Sequence, residues 1–583
     1  VSRWRELVLK TADYLLIIAG ITALAGLIAE YGFYLSYADE ARLQRFDLLI
    51  LFVFVLHYFL KIALVKDRLL YLKQHWFQAV LVVVILSETA FIINTLGFSL
   101  VKRFFFDINV RAIAKITIIW AQILIVLSLI HGSVAYNRKI VSLKFHPAQL
   151  LLFSFVFVIL TGSALLSLPR AISPGESLSY LDALFTSTSA TCVTGLVVVD
   201  TGTHFTFIGQ LIILALIQIG ALGIMTLASF FALFFRQGIS IRERAVLGEM
   251  MNIDSLSMIN RTLKQIVTIT FSVEAVGALL LFLFWNKAEW NFNERLYQSV
   301  FHSVSAFCNA GFSLNKDSLV SFNDNYPVLL TIAALIIIGG LGFVVIAELT
   351  GLKLSNRYKE KTVKRWSVQT KLVLLISSIL IFGGTILFYL VEPGNGRPVH
   401  DLIQAFFSSV TARTAGFNSV DFVSISVPAS MLIMMLMFIG ASPGSAGGGI
   451  KTTTIGVLFG SLLMTISGRN RIVMFKKNIT FTVLNRALVV FAFSITIILF
   501  STFILTITEP FPFLDLLFEE ISAFATVGLS RGITASLSEA GKMVLILSML
   551  IGRIGAMTMA FAITAPKEQV KVEYPTEKSI MIG

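Results

Sequence analysis

The chain has 583 residues, of which 56% are hydrophobic and 14% charged, and its mean hydropathy is +0.85. Soluble domains carry about 25% charged residues, so the composition excludes a string of soluble globular domains and indicates an integral membrane protein. The net charge of +13 does not point to nucleic acid, because the basic residues lie in short loops between apolar segments, the pattern of cytoplasmic loops.

The first segment mimics a secretory signal, with Arg3, Arg5 and Lys10, an apolar run, and Ala23-Leu24-Ala25. The apolar run continues past that point, so a first spanning helix is expected and not a cleaved leader. Four spans are expected at roughly 13–33, 47–65, 76–98 and 109–131, each near the ~20 residues that a bilayer core requires. Lys66, Arg68 and Lys73 after the second, and Arg138, Lys139 and Lys144 after the fourth, fit an inside N-terminus; Lys102 and Arg103 are the exception. Residues 1–144 thus read as an N-terminal four-helix membrane block. Within it Lys61–Val80, KIALVKDRLLYLKQHWFQAV, weakly resembles the segment joining the second and third helices of voltage-sensor domains. His57 and Gln78 stand where such a sensor needs acids, and the fourth helix offers only Arg103, Arg111 and Lys115. Each charge moved is worth about 2.3 kcal/mol per 100 mV, so two or three give a shallow sensor. A structural block whose long cations reach the interface is the favoured reading.

From residue 145 onward one pattern recurs. Phe185–Gly195 (FTSTSATCVTG), Phe301–Gly311 (FHSVSAFCNAG), Phe406–Gly416 (FFSSVTARTAG) and Phe518–Gly528 (FEEISAFATVG) align Phe with Phe and Gly with Gly. The repeat length is about 110 residues, which implies one unit used four times. Each unit reads apolar helix, short helix, glycine loop, apolar helix. The expected units are 145–260, 261–370, 371–482 and 483–583, the last including the C-terminal tail. Their second helices are expected at about 205–235, 326–350, 427–464 and 540–564. The fold expected is all-α, with about 12 transmembrane helices and four helix–pore loop–helix repeats around one pore, preceded by four transmembrane helices.

Thr526-Val527-Gly528 matches the first half of the potassium-filter sequence TVGYG. Carbonyls replace a cation's water only where the backbone can turn them toward one axis, and glycine permits that turn. A helix C-cap explains any one such glycine; four in register argue for a shared filter. The expected ion-binding residues are Val193, Thr194 and Gly195; Asn309, Ala310 and Gly311; Thr414, Ala415 and Gly416; and Thr526, Val527 and Gly528. Cys192 and Cys308, each three residues before a repeat glycine, read as small packing residues. Basic connectors around Arg236–Arg244, Lys353–Arg365 and Arg469–Lys477 put the glycine loops outside. Asp182, Asp401, Asp515, Glu519 and Glu520 on the short helices, and Asp200, Asp317 and Asp421 after the loops, would raise the local cation concentration; each also reads as a solvated loop charge or, for Asp182, Asp401 and Asp515, as a helix N-terminal acid that suits the dipole.

The second helix of the third unit is interrupted by ASPGSAGGGIKTTT. Gly444–Lys451 is partly similar to a phosphate-binding loop, but Ile450 separates the last Gly from Lys451 and no strand precedes it. Nucleotide binding and a membrane enzyme are disfavoured, and no catalytic constellation accompanies the loop. Such a run survives at membrane depth where it faces a water-filled path. Ser442, Gly444, Gly447, Gly448, Gly449 and Lys451 are therefore candidate gating residues. Arg553 joins them: it lies too deep in the last helix to reach either interface, so it faces the pore and this loop, or a buried acid such as Glu274 or Glu348.

TCVTGLVVVDTGTHF (191–205), FCNAGFSL (307–314), TARTAGFNS (411–419), SPGSAGGGIKTTT (442–454), ATVGLSRG (525–532) and IGRIG (551–555) together resemble the Trk/Ktr/HKT superfamily of potassium transporters, closest to the KtrB type. The resemblance covers about residues 145–565. It implies K⁺ as the transported ion at the filter carbonyls, no organic cofactor on this chain, and Na⁺ as a possible activator. It also implies a homodimer in a bacterial inner membrane and a separate cytosolic nucleotide-binding ring of the KtrA/TrkA type. Loss of the first filter glycine favours sodium in that family; here all four are glycine. The alternative function is a voltage-responsive or Na⁺-permeable cation channel that uses the N-terminal block as sensor.

Overall fold

The computed structural model describes residues 3–65, positions 68, 71, 79, 82 and 83, and residues 147–234, 259–285, 290–350, 366–555 and 558–559, apart from 393, 395 and 470. Most of the expected third N-terminal span, all of the fourth, Gln78, and the connectors at Arg236–Arg244 and Lys353–Arg365 lie outside the described residues. The chain divides into two units, residues 1–144 with 168–170, and residues 145–167 with 171–583.

In the first unit α1 (Arg3–Gly32) and α2 (Tyr37–Leu64) pack through Ala19, Ala23, Ile50 and Phe54. Ser36 starts α2 by accepting from the Asp39 amide at 3.3 Å, the usual service of a serine N-cap. Arg170 holds the end of α1, donating from Nη1 to Glu30 O at 2.8 Å and from its amide to Gly32 O at 3.0 Å.

In the second unit long apolar helices alternate with short ones. The order opens with α3 (Pro147–Leu166), short α4 (Tyr180–Thr191) and α5 (Phe207–Phe234). Next come α6 (Ile259–Phe284), short α7 (Phe292–Phe307), α8 (Tyr326–Leu341) and α9 (Phe343–Thr350). Then follow α10 (Val368–Val391), short α11 (Pro398–Thr411), α12 (Val427–Phe438) and α13 (Thr452–Ile466). A hairpin of β1 (Ile472–Met474) and β2 (Lys477–Ile479) precedes α14 (Phe481–Thr508), short α15 (Phe513–Phe524) and α16 (Glu539–Ile554). Among the described residues, length and apolarity single out stretches of α3, α6, α10 and α14 as membrane spans, with the bent pair α8–α9 as a fifth. Each of the four unbent spans precedes a short helix. The short helices run 12, 16, 14 and 12 residues, too few to cross a bilayer core. Each carries an acid in its first turn, Asp182, Glu294, Asp401 or Asp515, where a negative charge suits the helix dipole.

The second helices depart from the expected straight spans. Residues 326–350 do not form one helix: the chain bends by 101° between α8 and α9. Gly342 makes the bend at φ 88°. A Cβ there would lie 2.6 Å from Pro443 O, so the glycine is needed both for the angle and for the close approach. The helix expected over 540–564 ends at Ile554, with Gly555 at φ 89°. The interruption expected within 427–464 is present as residues 439–451 between α12 and α13.

The short helices dock on their preceding spans through one recurring bond. Ser187 Oγ donates to Ile159 O at 2.7 Å, Ser303 Oγ to Glu274 O at 2.7 Å, and Ser409 Oγ to Ile381 O at 2.9 Å. The register of the third differs from the sequence alignment. Phe407 and not Phe406 takes the fully buried place of Phe185, Phe301 and Phe518, so its helix lies one residue nearer its glycine. In the fourth unit Glu520 stands at the serine position and accepts from Ser548 Oγ of α16 at 2.7 Å.

Candidate functional site

After each short helix the chain turns through two left-handed residues separated by one that is not. The φ values are 56° and 94° at Val193 and Gly195, 57° and 70° at Asn309 and Gly311, 66° and 78° at Thr414 and Gly416, and 50° and 93° at Thr526 and Gly528. Amides between them point back into the helix ends. Thr194, Ala310 and Val527 each donate to the carbonyl of Ser189, Ser305 and Ser522 at 2.8 Å, and Ala415 donates to Thr411 O at 3.0 Å. Gly195 and Gly528 donate to the hydroxyls of Ser189 and Ser522, both at 3.1 Å. In a trans peptide the carbonyl lies opposite the amide hydrogen, so the carbonyls of Val193, Thr194, Asn309, Thr414, Thr526 and Val527 are turned away from the short helices. Among the described residues none of these carbonyls accepts a backbone hydrogen bond.

The four loops meet in chain order. A Cβ on Gly195 would meet Ala310 O at 2.5 Å, and one on Gly311 would meet Ala415 O at 2.8 Å. One on Gly416 would run into Val527 O, and one on Gly528 into Thr194 O, which closes the ring. Each glycine is thus required twice, by its φ and by the carbonyl of the next loop.

The interrupted segment lies against this ring. A Cβ on Gly447 would strike the Thr414 hydroxyl, and one on Gly448 the Thr526 hydroxyl. The segment is tied to the α8–α9 bend: Ser442 N donates to Gly340 O at 3.1 Å, Ala446 N to Gly339 O at 3.3 Å, and Phe343 N to Gly444 O at 3.0 Å. Asn309 faces Thr414 Oγ1 at 3.4 Å. The amide orientation in which its nitrogen donates to Ala306 O at 3.1 Å and Ile336 O at 3.3 Å satisfies both ends, with the oxygen toward Thr414. Two cations hold the segment. Lys451 Nζ donates to Gly447 O at 2.8 Å. Arg553, only 2% exposed, donates from Nη1 to Ala446 O and from Nη2 to Gly220 O at 2.6 Å. The acids expected as alternatives are engaged elsewhere: Glu274 accepts from Gln218 at 3.1 Å and Glu348 from the Ser367 amide at 3.0 Å.

On the other side of the ring all four glycines line one cavity of about 510 Å³, shared with Asp200, Lys316, Asp317 and Asp421. The acids of the short helices are not its charges. Glu519 and Glu520 are fully buried, Asp182 pairs with Lys542 at 2.6 Å, and Asp515 pairs with Arg531 at 2.5 Å. Sequence reasoning missed these two pairs, of which Asp182–Lys542 joins the first and fourth repeats and Asp515–Arg531 lies within the fourth, and missed Arg413, buried and bonded to Ser377 at 3.0 Å. Cys192 and Cys308 are free and buried.

Unpaired carbonyls ringed by four loops, in a chain of apolar spans, define a cation-handling membrane protein. The family model described as a cation transport protein, TrkH, matches residues 125–572, and the chain belongs to that family. It is 40% identical to the Ktr system potassium uptake protein B of Vibrio alginolyticus over 75% of this chain and 94% of that one. It is 39% identical to the protein of the same name in Bacillus subtilis, over 75% and 97%. To the potassium/sodium uptake protein NtpJ of Enterococcus hirae the identity is 36%, over 76% and 99%. The crystal structure of the potassium transporter TrkH from Vibrio parahaemolyticus superposes with a TM-score of 0.57 at 20% identity, covering 83% of this chain and 97% of that one.

Proposed function

We propose that this chain takes up potassium across the cell membrane through one pore per chain, built from four helix–pore loop–helix repeats. The observation that carries the reading is the closed ring, in which each glycine sits against the next loop's carbonyl. Carbonyls of Val193–Gly195, Asn309–Gly311, Thr414–Gly416 and Thr526–Gly528 replace the water of a dehydrated K⁺. The amides behind the carbonyls of Val193, Thr194, Asn309, Thr414, Ala415, Thr526 and Val527 are already spent on the helix ends, so these oxygens are held toward the ion before it arrives. Ion movement runs down the electrochemical gradient. Relatives named as potassium uptake proteins support K⁺ as the ion, and the name of the Enterococcus relative keeps a role for Na⁺ within the reading.

The segment Ser442–Gly449 is the gate in this reading. Its glycines rest on the Thr414 and Thr526 side chains, and Arg553 and Lys451 fasten its carbonyls. Their two positive charges, with no ion-pair partner among the described residues, oppose a cation below the ring. Displacing the segment removes both the obstruction and the charge. A homodimer and a separate cytosolic nucleotide-binding ring that moves the segment complete the proposal. The test is ion influx in a potassium-uptake-deficient host. Expression should restore growth at low K⁺ and K⁺ influx over Na⁺; no restoration at verified membrane expression would sink the reading.

A further inference from the structure

The charged residues in the wall of the cavity over the ring glycines are Asp200, Lys316, Asp317 and Asp421, and its volume is about 510 Å³. A sphere of that volume is roughly 10 Å across, the screening length at about 0.1 M salt. The three carboxylates are each committed to backbone. Asp200 Oδ1 accepts from the Thr203 amide at 2.8 Å, Asp317 Oδ2 from the Ser321 amide at 2.8 Å, and Asp421 Oδ1 from the Val423 amide at 3.0 Å. Such bonds are charge-assisted and fix a carboxylate in place. Lys316 differs. It is exposed, and among the described residues its ammonium has neither an acid nor a carbonyl as partner.

The backbone that carries Lys316 is nevertheless fixed. Ser318 N donates to Asn315 O at 3.0 Å, which makes Lys316 and Asp317 the two central residues of a turn. Asn315 N donates to Ser313 Oγ at 3.0 Å and holds the start of that turn. Its end is stitched to the loop that follows Gly416: Leu319 N donates to Asn418 O at 2.9 Å, and Asn418 N to Ser318 Oγ at 3.1 Å. Lys316 is thus a point charge on a flexible four-carbon stem whose root is held in the cavity wall.

An ammonium group has the charge of K⁺ and nearly its size, and it brings three N–H donors for oxygen. In a cavity no wider than a screening length, its charge acts on every cation that approaches the four glycines. The fixed carboxylates draw cations in, and the lysine opposes them. We propose that Lys316 is a tethered competitor of K⁺ at the outer mouth. It lowers K⁺ occupancy over the ring and so sets the external K⁺ concentration at which influx half-saturates, leaving maximal influx alone. Monovalent cations are repelled alike, so the K⁺/Na⁺ ratio does not change. The role rests on the reading of the ring as a K⁺ filter with this cavity as its mouth.

The experiment measures K⁺ influx into right-side-out membrane vesicles that hold the full-length protein, over a range of external K⁺. Ionic strength is set with an impermeant organic salt at about 0.02 M and about 0.5 M, where charges are screened over roughly 20 Å and 4 Å. Lys316→Met keeps most of the stem and removes the charge. At the lower strength it should lower half-saturating K⁺ by about threefold with maximal influx unchanged, and at the higher strength the difference should vanish. Lys316→Arg keeps the charge and should match wild type. Lys316→Gln takes the place of Lys316→Met if that variant does not reach the membrane. Equal half-saturation in the neutral variant and wild type at the lower strength overturns the proposal. So does a shift that persists at the higher strength, or one that Lys316→Arg reproduces, because either assigns Lys316 a packing role. A wild type without K⁺ influx is a separate result: it removes the proposed function and, with it, the mouth that Lys316 guards.

Discussion

The strongest constraint on single residues is the double demand on each ring glycine. Gly195 combines φ 94° with a neighbouring carbonyl 2.5 Å from where its Cβ would be. Gly195→Ser must therefore displace Ala310 O, and the ring loses its spacing on one side. The expected result is a K⁺/Na⁺ influx ratio lower by about tenfold, equivalent to ~1.4 kcal/mol of discrimination, with protein still in the membrane; Gly416→Ser should act in the same direction. Ion ratios measured with Rb⁺ and Na⁺ tracers check it, and unchanged ratios in both variants would remove the filter assignment. Arg553 gives the second residue-scale prediction. Its two bonds, to Ala446 O and Gly220 O, are charge-assisted and in the range of about 1.5–3 kcal/mol each. Arg553→Gln keeps a donor but loses the charge and the fork, so K⁺ influx should rise several-fold at equal expression. A folded variant with unchanged or lower influx would assign Arg553 a structural role instead.

At the scale of elements, the segment between α12 and α13 and the bend between α8 and α9 behave as one assembly. Phe343 N bonds Gly444 O, and Gly339 O and Gly340 O accept from Ala446 and Ser442. The bend supplies two carbonyls that a straight helix would have used internally and one amide, and the broken helix supplies the matching two amides and one carbonyl. Deleting Gly444–Gly449 should raise K⁺ influx while leaving the K⁺/Na⁺ ratio intact, because the amides of Gly195, Gly416 and Gly528 bond to their own short helices. Flux equal to that of the intact protein would show that the segment is not the barrier. The glycine run was legible in the sequence as a break. The bend at Gly342 was not, because an apolar stretch of 25 residues looks like an ordinary span until its partner segment is in place.

Over the whole molecule, the ring needs contacts between units distant in sequence. Lys542 in α16 reaches Asp182 in α4 at 2.6 Å, and Arg531 joins Asp515, Phe422 O and Ser430 at 2.5, 3.2 and 2.7 Å. The Lys542 pair links the first and last units and is mostly buried. Lys542→Met leaves Asp182 without its cation and should cost about 1–3 kcal/mol. Thermal unfolding in detergent should show a Tm lower by a few degrees, and an unchanged Tm would assign this pair no part in holding the ring closed.

The sequence by itself determined the membrane class, the short helices, the glycines and the broken helix, because hydropathy, caps and glycine runs act locally. The alignment of units was legible to within one residue: Phe406 and Phe407 are chemically alike, and only docking of Ser409 on Ile381 O selects Phe407 as the buried one. The fate of the charges was decided by tertiary structure. Glu519 and Glu520 read as outer acids, yet Glu519 is taken up by Ser530, Arg531 and Thr534, and Glu520 by Ser548. Arg553 had two readings until Ala446 O and Gly220 O stood within reach of its fork. A charge in a low-dielectric interior takes the partner that geometry offers, and when that partner lies over a hundred residues away, nothing in the local sequence names it.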